Sequence, residues 1–251
     1  MKLGIIGCGK IGSGIAKRLA AVHELLLVDR HQKSELQGKW VKSAKEAAEE
    51  AEVLVIAVKP QDLEDLSAEI GKSVSNKVVI SVLAGIDTHR LQAHFSEAKI
   101  VRIMPNIAID YGKGSIGIVD DGTYREEEKK EIEELLSPLG HLHWFSEAMI
   151  DSFTALCGSG PAFIFVLIEA MVEAGILLGI EPKLGLQLTH EMIEGALATL
   201  KKSKKLPQQL KWEVASPGGM TIVGLKTMED EGIRAGIINT LLNTYERSKD
   251  F

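Results

Sequence analysis

The stretch K-L-G-I-I-G-C-G-K-I-G-S-G-I-A-K-R-L, Lys2 to Leu19, decides the fold of this chain. An apolar run, Leu3 to Ile6, reads as a buried strand, and a helical pattern follows from Ile11 to about Ala20. Three glycines between them form the pattern G-x-G-x-x-G: Gly7, Gly9 and Gly12. The first glycine allows a tight turn, the second lets the backbone approach a pyrophosphate, and the third lets helix and strand pack closely. Strand, turn and helix in this order predict a dinucleotide site.

Further cofactor contacts are predicted around this turn. Lys10 and Ile11 open the helix, whose N–H groups and positive dipole end suit phosphates. Asp29 ends the second apolar run, about 20 residues after the first glycine, where a ribose-binding acid belongs. A carboxylate accepts a ribose 2′-OH and repels a 2′-phosphate, so Asp29 favours NAD. Arg30 could pair with a 2′-phosphate, so use of NADP stays open. Cys8 is read as a small apolar residue of the turn.

Three more strands end in small or polar residues. If the strands are parallel, these ends face the same ligand crevice. The first ends in Ala57-Val58-Lys59-Pro60, and its lysine would lie near ribose or nicotinamide. The second leads into Ser81-Val82-Leu83-Ala84-Gly85, of which Val82, Leu83 and Ala84 are predicted cofactor contacts. The third ends in Met104-Pro105-Asn106, where Asn106 could donate to a carboxamide or to a substrate.

The hydrophobic pattern predicts two domains. Residues 1–147 alternate continuous apolar runs with helical segments, which predicts an α/β Rossmann-type, doubly wound parallel sheet. A helix from Tyr124 to Leu136 is predicted there, with Thr123 and Glu126 as its capping box. Residues 148–251 carry helical spacing and no convincing strand, so an all-α helical domain should follow. Further predicted strands are Leu25–Val28, Val53–Val58, Val78–Val82, Ile100–Met104 and Ser115–Val119. Predicted helices of the second domain are Ile150–Leu156, Pro161–Leu178, Pro182–Leu200 and Ile233–Arg247.

Composition excludes several classes of protein. The 251 residues carry a net charge of -6, which disfavours nucleic-acid binding. The longest apolar run, Ala162 to Ile168, is far shorter than the ~18 residues of a membrane span. Two cysteines make no disulfide framework, which favours a reducing cytoplasm. His141 and His143 alternate in a predicted strand and therefore face the same side, but no third ligand is indicated, so no metal site is expected.

Two glycine-proline segments remain. Cys157-Gly-Ser-Gly-Pro161 precedes a long apolar pattern and reads as a flexible helix N-terminus with open N–H groups. Residues 158–182 contain no Lys, His or Arg. Val214-Ala-Ser-Pro-Gly-Gly-Met-Thr-Ile-Val-Gly-Leu225 is either a loop between helices or an anion site in which glycine N–H groups open a helix.

Together these motifs resemble the pyrroline-5-carboxylate reductases, the enzymes of the last step of proline biosynthesis. The resemblance covers nearly the whole chain. It rests on the following segments in order: the G-x-G-x-x-G turn, Ala57–Pro60, Ser81–Gly85, Arg102–Asn106 with Gly112 and Gly114, Asp151–Ala162, Ser216–Leu225 and Glu229–Ala235. The chain departs from the family where Ile107 and Ala108 replace Thr-Pro, where Lys211 and Trp212 follow Leu210, and where Asp29-Arg30 replaces Asn-Arg.

The resemblance implies NAD(P)H-dependent hydride transfer to the C=N bond of 1-pyrroline-5-carboxylate, giving L-proline. A protonated imine accepts hydride readily, so the missing basic residue in 158–182 is no obstacle, whereas a hydroxyacid dehydrogenase needs a base. Ser216, Gly218, Gly219 and Thr221 are assigned to the substrate, with Asn106 as a further contact. The two glycine amides would bind the carboxylate. Thr221, with Ser216, would serve the ring nitrogen, unless Thr221 is a helix cap.

The resemblance also implies a homodimer or a larger assembly of dimers, in which one subunit's helices complete the neighbour's site. Two other readings stay open at this stage. Another NAD(P)-dependent imine or β-hydroxyacid reductase would share the layout, although the absent lysine counts against the latter. A non-catalytic NAD(P)-binding regulatory protein would need no second anion pocket.

Overall fold

The computed structural model describes residues 1–249, which form two compact units. The first unit comprises residues 1–159 with the C-terminal segment from Thr244, and the second comprises residues 160–243. The sequence prediction placed the boundary between 147 and 148. By their contacts, residues 148–159 therefore belong to the first unit, although they are helical. The domain boundary at 147 stays a prediction.

The first unit is built on one eight-stranded sheet in the order β3-β2-β1-β4-β5-β6-β7-β8. Its strands are β1 Lys2–Ile6, β2 Glu24–Val28, β3 Lys39–Trp40, β4 Val53–Ile56, β5 Val78–Ser81, β6 Lys99–Pro105, β7 Gly114–Val119 and β8 Gly140–Phe145. Its helices are α1 Lys10–Leu19, α2 Ala44–Glu50, α3 Leu63–Ile70, α4 Thr88–His94, α5 Glu126–Leu136 and α6 Ile150–Phe153. The strand order changes direction at β1: β2 and β3 follow on one side of it, and β4 to β8 follow on the other.

Two apolar clusters cover the two faces of the sheet. Leu3, Ile5 and Ile15 belong to one, and Leu26, Leu54 and Ile56 to the other. The central strands are continuously apolar because both of their faces are covered. This is the doubly wound arrangement that the sequence predicts, and it leaves the carboxyl ends of β1, β2 and β4 together at one edge.

One strand pair departs from the predicted parallel sheet. β6 pairs with β7 in antiparallel register, with Met104 opposite Gly117. A single short turn, Ile107–Tyr111, joins the two strands. A parallel pair needs a crossover of a dozen or more residues, so this short connection permits only the antiparallel arrangement.

The predicted capping box at Thr123 and Glu126 is wrong. Helix α5 begins at Glu126, its N-cap is Arg125, and the Glu128 carboxylate accepts the backbone N–H of Arg125 at 2.8 Å. Thr123 instead donates its backbone N–H and its hydroxyl to the carboxylate of Asp121. Thr123 is therefore bonded within the turn before α5 and does not cap the helix.

The second unit consists of helices in its described residues. They are α7 Gly160–Leu177, α8 Pro182–Ser203, α9 Pro207–Val214, α10 Met220–Asp230 and α11 Ile233–Ser248, the last of which runs on into the first unit. Pro161, Pro182 and Pro207 each lie in a first helical turn, where a missing N–H is tolerated. α9 and α10 were not among the predicted helices, since α9 is short and glycines obscure the start of α10.

The helices of the second unit expose many apolar side chains. On α7, Phe165 and Val166 are exposed, and Leu177 at its end is 89% exposed. By length and composition, the helical run Glu147–Leu177 is also apolar enough to cross a membrane, with little of it buried within the chain. The sequence expectation of no such span rested on uninterrupted apolar runs, which miss a helix that carries isolated acidic residues such as Glu169.

Candidate cofactor and substrate site

The glycine turn has the geometry of a dinucleotide-binding turn. Gly7 has a φ of 92°, and a Cβ at this position would lie 2.5 Å from the carbonyl oxygen of Ala57. A Cβ at Gly12 would lie 1.8 Å from the carbonyl oxygen of Gly7. A Cβ at Gly9, the N-cap of α1, would meet nothing within 4 Å. Two glycines therefore allow the backbone to pack on itself, and the third leaves open space before the helix N-terminus, where phosphate binds.

Asp29 is held against this turn. Its Oδ2 accepts the backbone N–H of Cys8 at 2.6 Å, and its Oδ1 accepts that of His31 at 3.0 Å. A carboxylate has about four lone-pair sites, so both oxygens keep capacity for ribose hydroxyls. Two backbone N–H groups thus fix the position of the negative charge at the end of β2.

A cavity of about 560 Å³ opens along the carboxyl ends of β1, β2 and β4. It brings together seven of the predicted cofactor residues: Gly7, Gly9, Asp29, Arg30, Ala57, Val58 and Lys59. Seven lining residues that lie outside the strands were not predicted from the sequence: Lys42, Ser43, Ala44, Asp62, Asp65, Leu66 and Glu69. They come from the start of α2 and from α3 with the turn before it. A volume of this size suits a nucleoside.

The charge at the cavity mouth is mixed. Arg30 is largely exposed, and its Nη2 lies 3.8 Å from the Asp62 carboxylate. Lys42 and Lys59 face the same space as Asp65 and Glu69. Exposed pairs of this kind contribute little to stability. They do lower the net positive charge available for a 2′-phosphate.

The remaining predicted cofactor residues do not line this cavity. Lys10, Ile11 and Gly12 lie in the first turn of α1, with Gly12 packed on Gly7. Pro60 begins a short 3₁₀ turn, Pro60–Asp62. Val82, Leu83 and Ala84 follow β5, and the side chain of Leu83 is part of the core. Contact of a cofactor with these residues stays a prediction, and Leu83 could take part only through its backbone.

Cys8 is fully buried in the core beneath the turn. Burial, with a smaller effect of the Asp29 charge, raises the pKa of its thiol to about 11. The side chain is therefore a neutral, apolar filler at pH 7, as its sequence context suggests. Ser13 donates its hydroxyl to the carbonyl of Cys8 at 2.7 Å and accepts Lys33 Nζ at 3.0 Å.

Asn106 has a different environment from the one that the sequence suggests. It is 8% exposed at the end of β6. Its Nδ2 donates to the carbonyl of Cys157 at 3.0 Å. Its Oδ1 accepts the backbone N–H groups of Ala108 and Ser115, each at 3.2 Å. Both ends of the amide thus have backbone partners, so contact with a carboxamide or substrate stays a prediction.

The segment 157–161 leads into α7, which begins at Gly160, as the sequence predicts. Ser159 is a bend between the preceding helical turns and the first residue of α7. Residues Thr154–Gly158 form a π-helical turn, and the N–H of Ser159 donates to the carbonyl of Thr154 at 2.9 Å. The residues before this turn form α6, whose Ile150 and Phe153 are buried in a cluster with Val119 of β7. The Ser159 N–H is therefore not free to bind a ligand, and binding by the N–H groups of the two glycines stays a prediction.

The Ser216–Thr221 turn opens a helix as predicted. Gly218 has a φ of 70°, Gly219 is the N-cap of α10, and the Gly219 N–H donates to the carbonyl of Ser216 at 3.1 Å. A Cβ at Gly219 would lie only 2.4 Å from the Ser216 hydroxyl oxygen, so the position favours glycine. The first turn of α10 contains no acidic residue.

Thr221 is not a helix cap. It lies inside α10, exposed, and in the part of the chain that the structure describes its hydroxyl has no hydrogen-bond partner. The alternative reading of Thr221 as a cap is therefore wrong, because Gly219 takes the N-cap position. A free hydroxyl beside a glycine N-cap is a suitable arrangement for a small ligand with an anionic group.

No group of three or more His, Cys, Asp or Glu side chains in residues 1–249 has the arrangement of a metal site. His141 and His143 lie exposed on β8. Both cysteines are free.

The fold and the glycine turn define the first unit as the dinucleotide-binding domain of an NAD(P)-dependent oxidoreductase. Comparison with known proteins narrows this class. Residues 2–85 match the family model described as NADP oxidoreductase coenzyme F420-dependent, and residues 147–251 match that described as pyrroline-5-carboxylate reductase dimerisation.

The full-length relatives agree with each other. The chain is 32% identical to a pyrroline-5-carboxylate reductase of Aquifex aeolicus, over 99% of this chain and 97% of the relative. It is 33% identical to one of Methanosarcina acetivorans over the same shares. The crystal structure of Plasmodium falciparum pyrroline carboxylate reductase with NADP bound superposes with a TM-score of 0.94, at 30% identity, covering 100% of this chain and 97% of that one. The chain belongs to the pyrroline-5-carboxylate reductase family.

Proposed function

We propose that the protein reduces the C=N bond of 1-pyrroline-5-carboxylate with NAD(P)H and releases L-proline. The observation that carries this proposal is the Ser216–Thr221 turn, where a glycine N-cap and a free threonine hydroxyl occur side by side. The full-length similarity to pyrroline-5-carboxylate reductases supports the same reaction. When bound, the reduced nicotinamide supplies the hydride.

The chain's own residues hold the two reactants. The open space at Gly9 and the N-terminus of α1 suit the pyrophosphate, and Asp29 suits the adenosine ribose. The Gly218 N–H binds the substrate carboxylate, and the Gly219 N–H joins it by exchanging its bond to the Ser216 carbonyl for one to the substrate. Thr221 hydrogen-bonds the ring nitrogen, with Ser216 beside it. Placing the imine carbon against the hydride donor is the main contribution, since a protonated imine needs no further activation.

The preferred cofactor in this proposal is NAD, with NADP as a weaker alternative. Two backbone N–H groups hold the Asp29 carboxylate at the ribose position. Arg30, the cation that could attract a 2′-phosphate, lies close to Asp62. A 2′-phosphate would therefore face a fixed negative charge and a partly neutralised arginine.

The assembly in this proposal is a homodimer or a larger set of dimers. The exposed apolar residues of α7 and the match of 147–251 to the family's dimerisation model support it. Burial between two copies would also cover the apolar helical run, so a membrane is not needed to explain its composition. We place the protein in the cytoplasm, where its two free cysteines would remain reduced.

The reverse reaction tests the proposal. The purified protein should reduce NAD, and NADP more slowly, when supplied with proline or thioproline at high pH. A protein that binds either dinucleotide but shows no proline- or thioproline-dependent reduction would instead favour a reductase for a different imine or a regulatory dinucleotide-binding protein.

A further inference from the structure

A short hydrogen-bond chain lies behind the glycine turn. Lys33 Nζ donates to Ser13 Oγ at 3.0 Å, and the Ser13 hydroxyl donates to the carbonyl of Cys8 at 2.7 Å. These directions follow from the groups themselves, because a lysine ammonium can only donate whereas a hydroxyl both donates and accepts. Ser13 is 6% exposed, so water competes little for its bonds. The chain of bonds therefore connects a positive charge to the backbone of the turn.

The Cys8 carbonyl belongs to the same peptide group as the N–H of Gly9. Residues 1–249 contain no cis peptide bond, and in a trans peptide group the carbonyl and the N–H point in opposite directions. A Cys8 carbonyl held towards Ser13 therefore directs the Gly9 N–H away from Ser13. Gly9 lines the cavity, and a Cβ there would meet nothing within 4 Å. This N–H has no acceptor in residues 1–249, so it is available to a ligand.

The two N–H groups before it in the turn are already used. Gly7 donates to the carbonyl of Val28 at 2.8 Å, and Cys8 donates to Oδ2 of Asp29 at 2.6 Å. The Gly9 N–H is therefore the first in the turn that a pyrophosphate oxygen can accept. The hydrogen-bond chain holds the other end of its peptide group.

Lys33 is fixed at this position by the turn that follows β2. Its carbonyl accepts the N–H of Leu36 at 3.2 Å, and Leu36 is buried in the same core cluster as Cys8. Burial and the Asp29 charge raise the pKa of the Cys8 thiol, whereas the Lys33 charge lowers it, so the ammonium acts electrostatically on the turn. Hydrogen bonds in a buried chain polarise one another. A charge at one end therefore strengthens the peptide N–H as a donor at the other.

We propose that Ser13 and Lys33 are positioning residues of the dinucleotide site, which hold the Cys8–Gly9 peptide group so that its N–H donates to the cofactor pyrophosphate. Ser13 fixes the direction of the peptide group. Lys33 acts through Ser13, by orienting its hydroxyl and supplying the charge. This inference rests on the proposed function for its cofactor, and it concerns binding of the dinucleotide alone. The substrate turn and the hydride step play no part in it.

The test is the affinity for NADH, measured by fluorescence titration of the full chain without substrate. Ser13→Ala should raise the Kd about tenfold, the order of one hydrogen bond to a charged group. Lys33→Met removes the charge and keeps most of the apolar stem, and it should raise the Kd about fivefold. Lys33→Arg keeps a cation with N–H donors, so its Kd should stay within about twofold of the wild type. A wild-type Kd in Ser13→Ala or Lys33→Met overturns the proposal, as does an equal loss in both Lys33 variants.

Direct contact of Lys33 with the cofactor is the competing explanation, and the double variant separates the two. If Lys33 acts through Ser13, Lys33→Met should change the Kd by less than about twofold once Ser13 is already alanine. If the ammonium contacts the cofactor itself, the full effect of Lys33→Met persists in that background, and this result overturns the proposal.

Lys17→Met is the matched control, because it removes the same charge from the exposed side of α1 in its last turn. It should leave the Kd for NADH within about twofold of the wild type, since an exposed charge at this distance is screened. A rise equal to that of Lys33→Met would assign the effect to net charge and overturn the proposal.

Two further outcomes are decisive. If Ser13→Ala is recovered only as unfolded protein, the comparison of Lys33→Met with Lys33→Arg still decides whether the charged donor is needed. If the wild type binds NADH but does not reduce 1-pyrroline-5-carboxylate, the proposed function fails, while the Kd values of the variants still support or overturn this inference.

Discussion

Two glycines of the same turn should respond to alanine in opposite ways. At Gly12 a Cβ would lie 1.8 Å from the backbone oxygen of Gly7, a clash that no side-chain rotation relieves. At Gly9 a Cβ would meet nothing within 4 Å, and the backbone has a φ of -65°, which alanine adopts freely. Gly12→Ala should therefore destabilise the protein, whereas Gly9→Ala should interfere with the ligand.

The magnitudes follow from these distances. Overpacking costs about 1–3 kcal/mol, and a clash with backbone belongs at the upper end. About 3 kcal/mol corresponds to a fall of roughly 6–12 °C in melting temperature for a chain of this size. For Gly9→Ala, loss of a favourable N-cap residue costs about 1 kcal/mol or less. The same overpacking range, applied between the new methyl group and a bound pyrophosphate, raises the Kd for NADH roughly 5- to 150-fold.

The assay measures thermal unfolding without ligand, and then NADH binding by fluorescence titration at a temperature where both variants are folded. Each variant is the other's control. The reasoning is refuted if Gly12→Ala melts like the wild type, or if Gly9→Ala binds NADH with wild-type affinity.

Three further predictions concern the two sites. Thr221→Ala should lower kcat/KM for 1-pyrroline-5-carboxylate about tenfold or more, with an unchanged Kd for NADH. Thr221→Ser should retain most of the wild-type kcat/KM, because only the hydroxyl is needed. Steady-state kinetics of both variants check this prediction. Asp29→Asn should shift the ratio of kcat/KM values about tenfold or more towards NADPH, since two like charges ~4 Å apart repel by about 1–4 kcal/mol, and an unchanged ratio would remove Asp29 from cofactor selection. The pKa of Cys8 is about 11 in the folded protein against 9.0 for the free thiol, so its contribution to stability is complete below pH 9 and is lost as the pH rises to about 11; the melting temperature of the wild type should fall more steeply over that interval than that of Cys8→Ala.

The elements of the first unit are largely predictable from sequence because two independent signals coincide there. Continuous apolar runs such as Val53–Ile56 mark buried parallel strands, and the glycine spacing fixes the turn between β1 and α1. The antiparallel pairing of β6 with β7 depends on the length of one connection rather than on hydrophobic pattern. The two-residue strand β3 is too short to produce a pattern at all.

The cofactor cavity is only half predictable. Residues at strand ends, such as Asp29 and Lys59, can be assigned because parallel strands place their carboxyl ends together. Ser43 and Glu69 line the same space from helices, and their position depends on how α2 and α3 pack on the sheet. Their polar, helix-compatible sequence resembles any solvent-exposed surface, so nothing local identifies them.

Asn106 shows what a motif leaves out about the surroundings of a residue. Its place at the end of a strand suggested a ligand contact, whereas the structure gives its amide three backbone partners. One of these partners, the Cys157 carbonyl, lies 51 residues further along the chain, and only folding brings it to Asn106. The ligand contact stays a prediction.

The central claim is tested most directly by the forward reaction. Purified protein is mixed with 1-pyrroline-5-carboxylate and either NADH or NADPH, dinucleotide oxidation is followed by absorbance, and proline is identified by mass spectrometry. We predict substrate-dependent oxidation with stoichiometric formation of proline and a higher kcat/KM with NADH. Binding of the dinucleotide without substrate-dependent oxidation, or oxidation without proline, would contradict the account.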